Sequence, residues 1–429
     1  MTELNGKQVI EPNSFEYTEQ APQGIGELLM SPIKGFISAA QIIAFVFLVG
    51  GAFAIINATG AIYAGITKML DISLRHPNYK KVIIPVVMVL FSLGGATFGM
   101  SEEVLVFLLI TIPLSYALGY DNIVGAAIPF LGAAAGFAGA FMNPFTVGIA
   151  QGIAEVDVFT GWEYRLVVWA VMTTIVIAFV IYYANGIDTG KRKPFFAGKE
   201  NFEKAADLRY ELTLKRKFIL FTLVLGLIIL ILGVTLYQWY INEISALFVA
   251  LGLLSALIYR LSPTKVIDAF INGASEMVTA AIVIGLARGL LVIAEDGKII
   301  HTILYFISSH AEQLSAVISV QIMFISQGFI NFFIPSGSGQ AALTMPIMAP
   351  LSDLLGISRQ TAVLAFQLGD GINNMIIPTS GVTMGVLSIS KIPYEKWFKF
   401  ILPLMVIMYI ASFILLAIPI LLDGAVFGF

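Results

Sequence analysis

A chain of 429 residues that is 58% hydrophobic and only 12% charged is not an ordinary soluble domain; its net charge of −3 says little by itself, and its basic residues cluster in one loop that topology explains, so no nucleic-acid partner is expected. With no cysteine, disulfides, thiol catalysis and Cys-ligated metals are excluded, and His76, His301 and His310 lie too far apart for a transition-metal site. Several apolar runs reach or approach the roughly 20 residues that cross a bilayer, so the expected class is an all-α polytopic membrane protein.

In chain order, residues 1–24 read as a polar tail without the basic start and apolar core of a cleavable signal. Residues 25–35 resemble an interfacial helix, 36–57 form the first long apolar run, and an amphipathic stretch follows Asn57-Ala-Thr-Gly60 to about residue 74. Behind Arg75, Lys80 and Lys81, an apolar arm from Val82 to Leu93 breaks at Gly94-Gly-Ala-Thr-Phe-Gly-Met-Ser101 and resumes from Val104 to Leu118. Arms of about 12 to 15 residues are too short to cross separately and predict a re-entrant hairpin over about 80–119. A helix over about 122–154 is interrupted at Met142-Asn-Pro-Phe-Thr146, where proline removes a backbone donor.

An acidic connector with Glu155, Asp157 and Glu163 leads to a crossing at about 165–184. The basic loop 185–217 carries nine Lys/Arg against five acids. Two linking crossings fill 218–260, at about 218–237 and 244–259, with Tyr237-Gln-Trp239-Tyr240 as an aromatic belt between them. After Arg260 and Lys265 come an apolar helix at about 277–294, a second hairpin at about 316–356, a second broken helix at about 359–390 and a last crossing at about 398–422. Residues 423–429 are a short tail.

The second half repeats the first. Gly99-Met-Ser-Glu-Glu-Val104, Pro113, Gly132, Thr146 and Gly148 recur as Ser336-Gly-Ser-Gly-Gln340, Pro350, Gly369, Thr383 and Gly385; 350 − 113, 369 − 132, 383 − 146 and 385 − 148 all give 237. Ser101 and Ser338 share that offset, as do Gly60 and Gly297. The repeats therefore span 25–184 and 261–422. If 185–217 is cytoplasmic, counting crossings puts Arg75, Lys80, Lys81, Arg260, Lys265, Lys391, Lys396 and Lys399 on the same side. Glu155, Asp157, Glu295 and Asp296 then fall outside, and the two repeats have inverted topology. The count is eight crossings plus two hairpins, with both termini outside. Paired, interrupted hydrophobic segments in corresponding halves point to the binding site of a secondary transporter.

Oxygen donors at the hairpin tips and helix breaks suit a small coupling cation, Na⁺ or H⁺: Ser101, Asn143, Thr146, Ser336, Ser338, Thr379, Ser380 and Thr383. Candidate substrate contacts are Glu102, Glu103, Asn143, Arg288, Gln340, Asp370, Asn373 and Asn374. The competing reading is that the small polar residues satisfy backbone groups and permit close helix packing. Arg288 and Asp370 are the charges deepest within the expected crossings. They are open to three readings: mutual structural partners; ligands for a carboxylate and for an amine or cation; or, for Asp370, a proton carrier. Three acids against one cation tilt the substrate toward a basic or zwitterionic amino acid over a dicarboxylate. No Ser/Lys, Asp/Asp or metal-ligand constellation supports an enzyme, and no catalytic residue or cofactor is expected. A channel is the more distant alternative.

Pro335-Ser-Gly-Ser-Gly-Gln340, Gly369-Asp-Gly-Ile-Asn-Asn374, Pro378-Thr-Ser-Gly381 and Ser31-Pro-Ile-Lys-Gly-Phe36 resemble the YfcC/DcuC-type family, the C4-dicarboxylate anaerobic carrier-like branch of the ion transporter superfamily. The resemblance covers nearly the whole chain from about residue 22. It implies a multi-pass carrier of the bacterial cytoplasmic (inner) membrane, surrounded by lipid and homodimeric, with two inverted repeats and elevator-type motion. It also implies one cation site at Ser101, Asn143 and Thr146 and a counterpart at Ser338, Thr379 and Thr383. Members of this type usually begin with an additional transmembrane helix, and this chain begins after its expected place.

Overall fold

The computed structural model describes residues 2–4, 7–9, 19–65, 68, 77–157, 159–197, 211–237, 239, 241–299, 302 and 314–422. Much of the expected tails, most of the amphipathic stretch after residue 65, Arg75, His76, His301, His310 and the middle of the basic loop lie outside the described residues. The chain is an all-α polytopic membrane protein. A short antiparallel ribbon, β1 Thr2–Leu4 with β2 Lys7–Val9, lies within the stretch expected as tail.

The first set of helices is α1 Ile25–Ser38, α2 Ala40–Ala58, α3 Pro77–Phe98, α4 Val104–Ala117 and α5 Asn122–Ala138. It continues with α6, in which Pro144–Gly148 is wound as a π-helix and runs directly into Ile149–Ile153, and with α7 Trp162–Asp188. Two linking helices follow, α8 Leu214–Tyr237 and α9 Ile241–Tyr259. The second set is α10 Pro263–Glu276, α11 Val278–Asp296, α12 Ala316–Phe333, α13 Gly337–Leu354, α14 Arg359–Asn373, α15 Gly381–Ile389 and α16 Tyr394–Leu421. Each helix of the second set overlaps its counterpart shifted along the sequence by the repeat offset.

Helix starts are duplicated along with the helices. Asp121 accepts a hydrogen bond from the Val124 amide to begin α5, and Ser358 accepts one from Thr361 to begin α14. Asn143 and Ser380, also equivalent, cap α6 and α15 through the amides of Phe145 and Thr383. Each cap satisfies an amide that the helix itself leaves unpaired.

The hairpin arms differ from expectation. α3 has 22 residues and α4 has 14, while α12 and α13 have 18 each. At 1.5 Å per residue, α3 is roughly 33 Å long. The Gly94-Gly95 pair does not break it: a Cβ on Gly95 would lie 2.0 Å from the Ala133 carbonyl oxygen, and one on Gly136 would lie 1.7 Å from that of Ser92. These glycines let α3 and α5 touch backbone to backbone. The break comes at Gly99, whose φ of +71° is left-handed. Among the described residues, α7, α9, α12 and α16 are long and apolar enough to cross a membrane alone. α1 and α2 meet at a 61° bend, measured between Ile25–Ser38 and Ile43–Ala58.

Packing is reciprocal between the sets. α1 lies along α11, and its equivalent α10 lies along α2. Within each set, the first hairpin arm packs on the broken helix: α3 on α5, and α12 on α14. α5 and α14 also touch each other, so both hairpins and both broken helices surround one central region.

Candidate functional site

That central region holds a cavity of about 370 Å³, walled by both hairpin tips and both helix breaks. Gly99–Glu103 contribute from the first tip and Pro335–Ser338 from the second. Phe145 and Thr146 come from the first break, and Asn374 with Ser380–Val382 from the second. Val104, Phe145, Gly337 and Gly381 belong to the opening turns of α4, α6, α13 and α15, so four helix N-termini reach the cavity wall. Their dipoles place positive potential there. α11 adds the guanidinium-bearing Arg288, close enough to Glu102 and Glu295 for their charges to interact.

The first tip is ordered by Glu103, only 7% exposed, whose Oε2 accepts the Ser101 amide at 2.9 Å. Of the sequence-derived candidates, Ser101, Glu102, Glu103, Thr146, Arg288, Ser336, Ser338, Asn374 and Ser380 line the cavity. The others are close but held elsewhere. Gln340 donates to the Gln327 carbonyl and side chain at 2.9 and 2.7 Å and accepts from Asn331 at 3.1 Å, inside the second hairpin. Asn373 bonds to Tyr409 Oη at 2.7 Å and to the Gly369 carbonyl at 2.8 Å. Thr379 donates to the Phe332 carbonyl at 2.6 Å, and Thr383 donates to the Asn374 carbonyl. Asn143 is buried against the first tip, where it caps α6.

Asp370 is fully buried behind the wall. Its Oδ1 accepts from Asn331 Nδ2 at 2.6 Å and Asn374 Nδ2 at 3.3 Å. No hydrogen bond or ion pair joins it to Arg288 among the described residues, which corrects the reading that made the two mutual partners. Arg288 lines the cavity together with Glu102 and Glu103 of the first tip.

The sequence model of the C4-dicarboxylate anaerobic carrier family matches residues 1–421. The chain belongs to this family. This carrier is 37% identical over 409 residues to YfcC of Escherichia coli strain K12, a protein provisionally named a basic amino acid antiporter, covering 90% of the carrier and 79% of YfcC. It is 32% identical over 424 residues to an uncharacterised protein of Haemophilus influenzae, covering 96% and 82% of the two chains. Among solved structures, the carrier is similar to the YdaH transporter of Alcanivorax borkumensis, at 16% identity and a TM-score of 0.46 over 94% of this chain and 90% of that one. It is also similar to MtrF of Neisseria gonorrhoeae, described with a class of antimetabolite efflux pumps, at 17% identity and a TM-score of 0.46 over 96% and 90%.

Several residues of the carrier's site were not singled out from sequence. Trp239, expected in an interfacial belt, lines the cavity, and a Cβ on Gly233 would lie 2.3 Å from its ring. Phe137 and Phe145 supply apolar wall, and Asn331 supports Asp370. Of these, only Asn331 carried a sequence signal: it is one of three side-chain amides, with Gln321 and Gln327, in a predominantly apolar helix.

Proposed function

We propose that this transporter is a secondary active carrier of a small carboxylate-bearing metabolite, driven by Na⁺ or H⁺ or working as an exchanger, with a basic or zwitterionic amino acid as substrate. The convergence of four helix N-termini and Arg288 on one cavity that also holds Glu102 and Glu103 carries this reading. The N-termini and Arg288 suit a carboxylate; the two glutamates suit an ammonium or guanidinium group and repel a second carboxylate. The provisional name of the E. coli relative supports a basic amino acid. The second reading is a C4-dicarboxylate, supported by the description of the family.

The repeats 25–184 and 261–422 are proposed to sit inverted across the inner membrane, with eight crossings, two hairpins and loop 185–217 in the cytoplasm. A homodimer in lipid, with elevator motion, completes the proposal, and no enzymatic step is assigned. The test is uptake of radiolabelled arginine and succinate into proteoliposomes, with and without a Na⁺ gradient and with counterflow. Saturable arginine counterflow is expected. Robust succinate transport that arginine fails to inhibit establishes the dicarboxylate reading instead, and non-saturable flux establishes a channel.

A further inference from the structure

Away from the central cavity, α2, α9 and α10 enclose a groove of about 240 Å³. Ala52 and Ile55 of α2, Val249 and Leu253 of α9, and Ile267 and Phe270 of α10 line it, and every lining side chain is apolar. Glycines hold its walls together. A Cβ on Gly252 would lie 3.0 Å from the Ala52 carbonyl oxygen, and one on Gly51 would lie 2.6 Å from the Phe270 ring. Leu253 and Ile267 are 49% and 57% exposed, so the groove opens to the surroundings of the protein.

Cations gather at one end of it. Arg216, in the first turn of α8, donates through Nε to the Thr59 carbonyl at 3.0 Å and through Nη2 to Tyr259 Oη at 3.1 Å, so the ends of α2 and α9 and the start of α8 meet there. Lys215 Nζ lies 5.9 Å from the centre of the Tyr259 ring. Arg260 follows Tyr259 directly, and Lys265 immediately precedes the lining residues Val266 and Ile267. Thr59 is about one turn beyond Ile55 and Arg260 about two turns beyond Leu253, which sets this rim roughly 6–10 Å along the helices from the apolar lining. With Lys217 the rim carries five cations against Glu211 and Asp268. Lys215, Lys217, Arg260 and Lys265 are exposed and make no salt bridge among the described residues.

An acyl tail that enters the groove from a bilayer leaves equally apolar neighbours and gains little by the move. Selectivity then falls to the headgroup, and an unpaired cationic rim is the complement of an anionic phosphate in the adjoining leaflet. A second copy of the chain fits less well. Two copies related by an axis along the membrane normal would hold their cationic rims at the same depth, like charge toward like.

We propose that this groove binds one anionic phospholipid, its tail among α2, α9 and α10 and its phosphate held by Arg260 and Lys265 with Lys215 beside them. The lipid would join α2 of the first set to α10 of the second. The site stands whichever solute the central cavity moves.

The test follows the thermal unfolding midpoint of the full chain in detergent as phosphatidylglycerol replaces phosphatidylcholine of the same tails at constant total lipid. A ligand that binds only the folded state raises the midpoint saturably. The wild type is expected to show that rise, and added salt should weaken it. Arg260→Gln with Lys265→Gln should raise the half-saturating phosphatidylglycerol by about twenty-fold. Leu253→Trp, which fills the groove and leaves the charge alone, should raise it by about ten-fold or more. Lys391→Gln with Lys399→Gln removes the same charge beside α16, which packs on α7, α12, α14 and α15 rather than on the groove, and should leave the response unchanged. Each variant's midpoint in phosphatidylcholine alone checks that it folds. No saturable rise in the wild type, an equal loss in the Lys391/Lys399 pair, or a full response in Leu253→Trp would overturn the site. A wild type that ignores phosphatidylglycerol while Leu253→Trp splits its oligomer would overturn it too, and give the groove to a second copy.

Discussion

Gly99→Ala is the substitution that most directly tests how the first tip shapes the cavity. Gly99 and Gly356 both have left-handed backbones, with φ of +71° and +65°. A left-handed conformation costs a side-chain-bearing residue roughly 1–2 kcal/mol, and Gly356→Ala should show that and no more, because nothing lies within 4 Å of its Cβ position. At Gly99 the added methyl would sit 2.8 Å from Asn143 Nδ2 and 2.9 Å from Oδ1. Relieving that contact moves the carboxamide that caps α6, adding the loss of a cap at about 1 kcal/mol and residual crowding. The expected destabilisation is therefore about 2–4 kcal/mol for Gly99→Ala against about 1–2 kcal/mol for Gly356→Ala. Since Gly99 and Thr146 both line the cavity, uptake normalised to folded protein should fall about ten-fold or more in the first variant and stay level in the second. Thermal midpoints and proteoliposome uptake of both variants measure the contrast. Equal midpoints and equal uptake would refute the claim that the tip bears on the α6 cap.

Cysteine-scanning of a chain that has no cysteine of its own gives a clean test of orientation. Lys193→Cys should label only from the cytoplasmic side and Asp157→Cys only from the other; labelling of both from one side removes the inverted arrangement. At the mouth of α5, Asp121 accepts hydrogen bonds from Tyr183 Oη and the Phe195 amide, both at 2.9 Å, besides its cap. Burial raises its carboxyl above the usual aspartate range against those hydrogen bonds, so the folded chain holds the proton more tightly than the unfolded one. Its contribution to stability is thus greatest below the unfolded value, near pH 4, and declines as pH rises through the raised folded value, flattening above it. Asp121→Asn should remove that slope from a midpoint-against-pH curve; a variant retaining the full slope assigns it to another group.

Punctuation by proline, glycine and small polar residues, duplicated at a constant spacing, marked the interruptions at Gly99, Asn143-Pro144 and Pro378-Thr379, where the helices of the structure end or begin. Facing was harder to read. In a membrane helix the lipid side and the protein side are equally apolar, so periodicity does not tell Thr146, which reaches the cavity, from Thr383, which is tied to the Asn374 carbonyl. Gly94 and Gly95 read as a break because glycine both unwinds helices and lets them approach, and only the neighbouring backbone of α5 decides between the two. Trp239 was assigned by its position between linking helices, a local signal that carries no information about the distant tips it meets.

The exchange of helices between halves bears on how the molecule is assembled. α1 leaves the ribosome roughly 250 residues before α11, its main partner, a wait of about tens of seconds at ordinary elongation rates. Gly35 shows how intimate the eventual contact is: a Cβ there would lie 2.3 Å from the Gly285 carbonyl oxygen. Until then α1 has a face with no protein to cover it, while Ile25, Leu29, Ile33 and Ile37 form an apolar stripe on its outer side. Such a helix can rest in the lipid headgroup layer while it waits. Neither half is a self-sufficient folding unit, since each lends its opening helix to the other. An ancestor only half as long would have needed a second copy of itself, trading opening helices across the interface, before either copy possessed a complete scaffold.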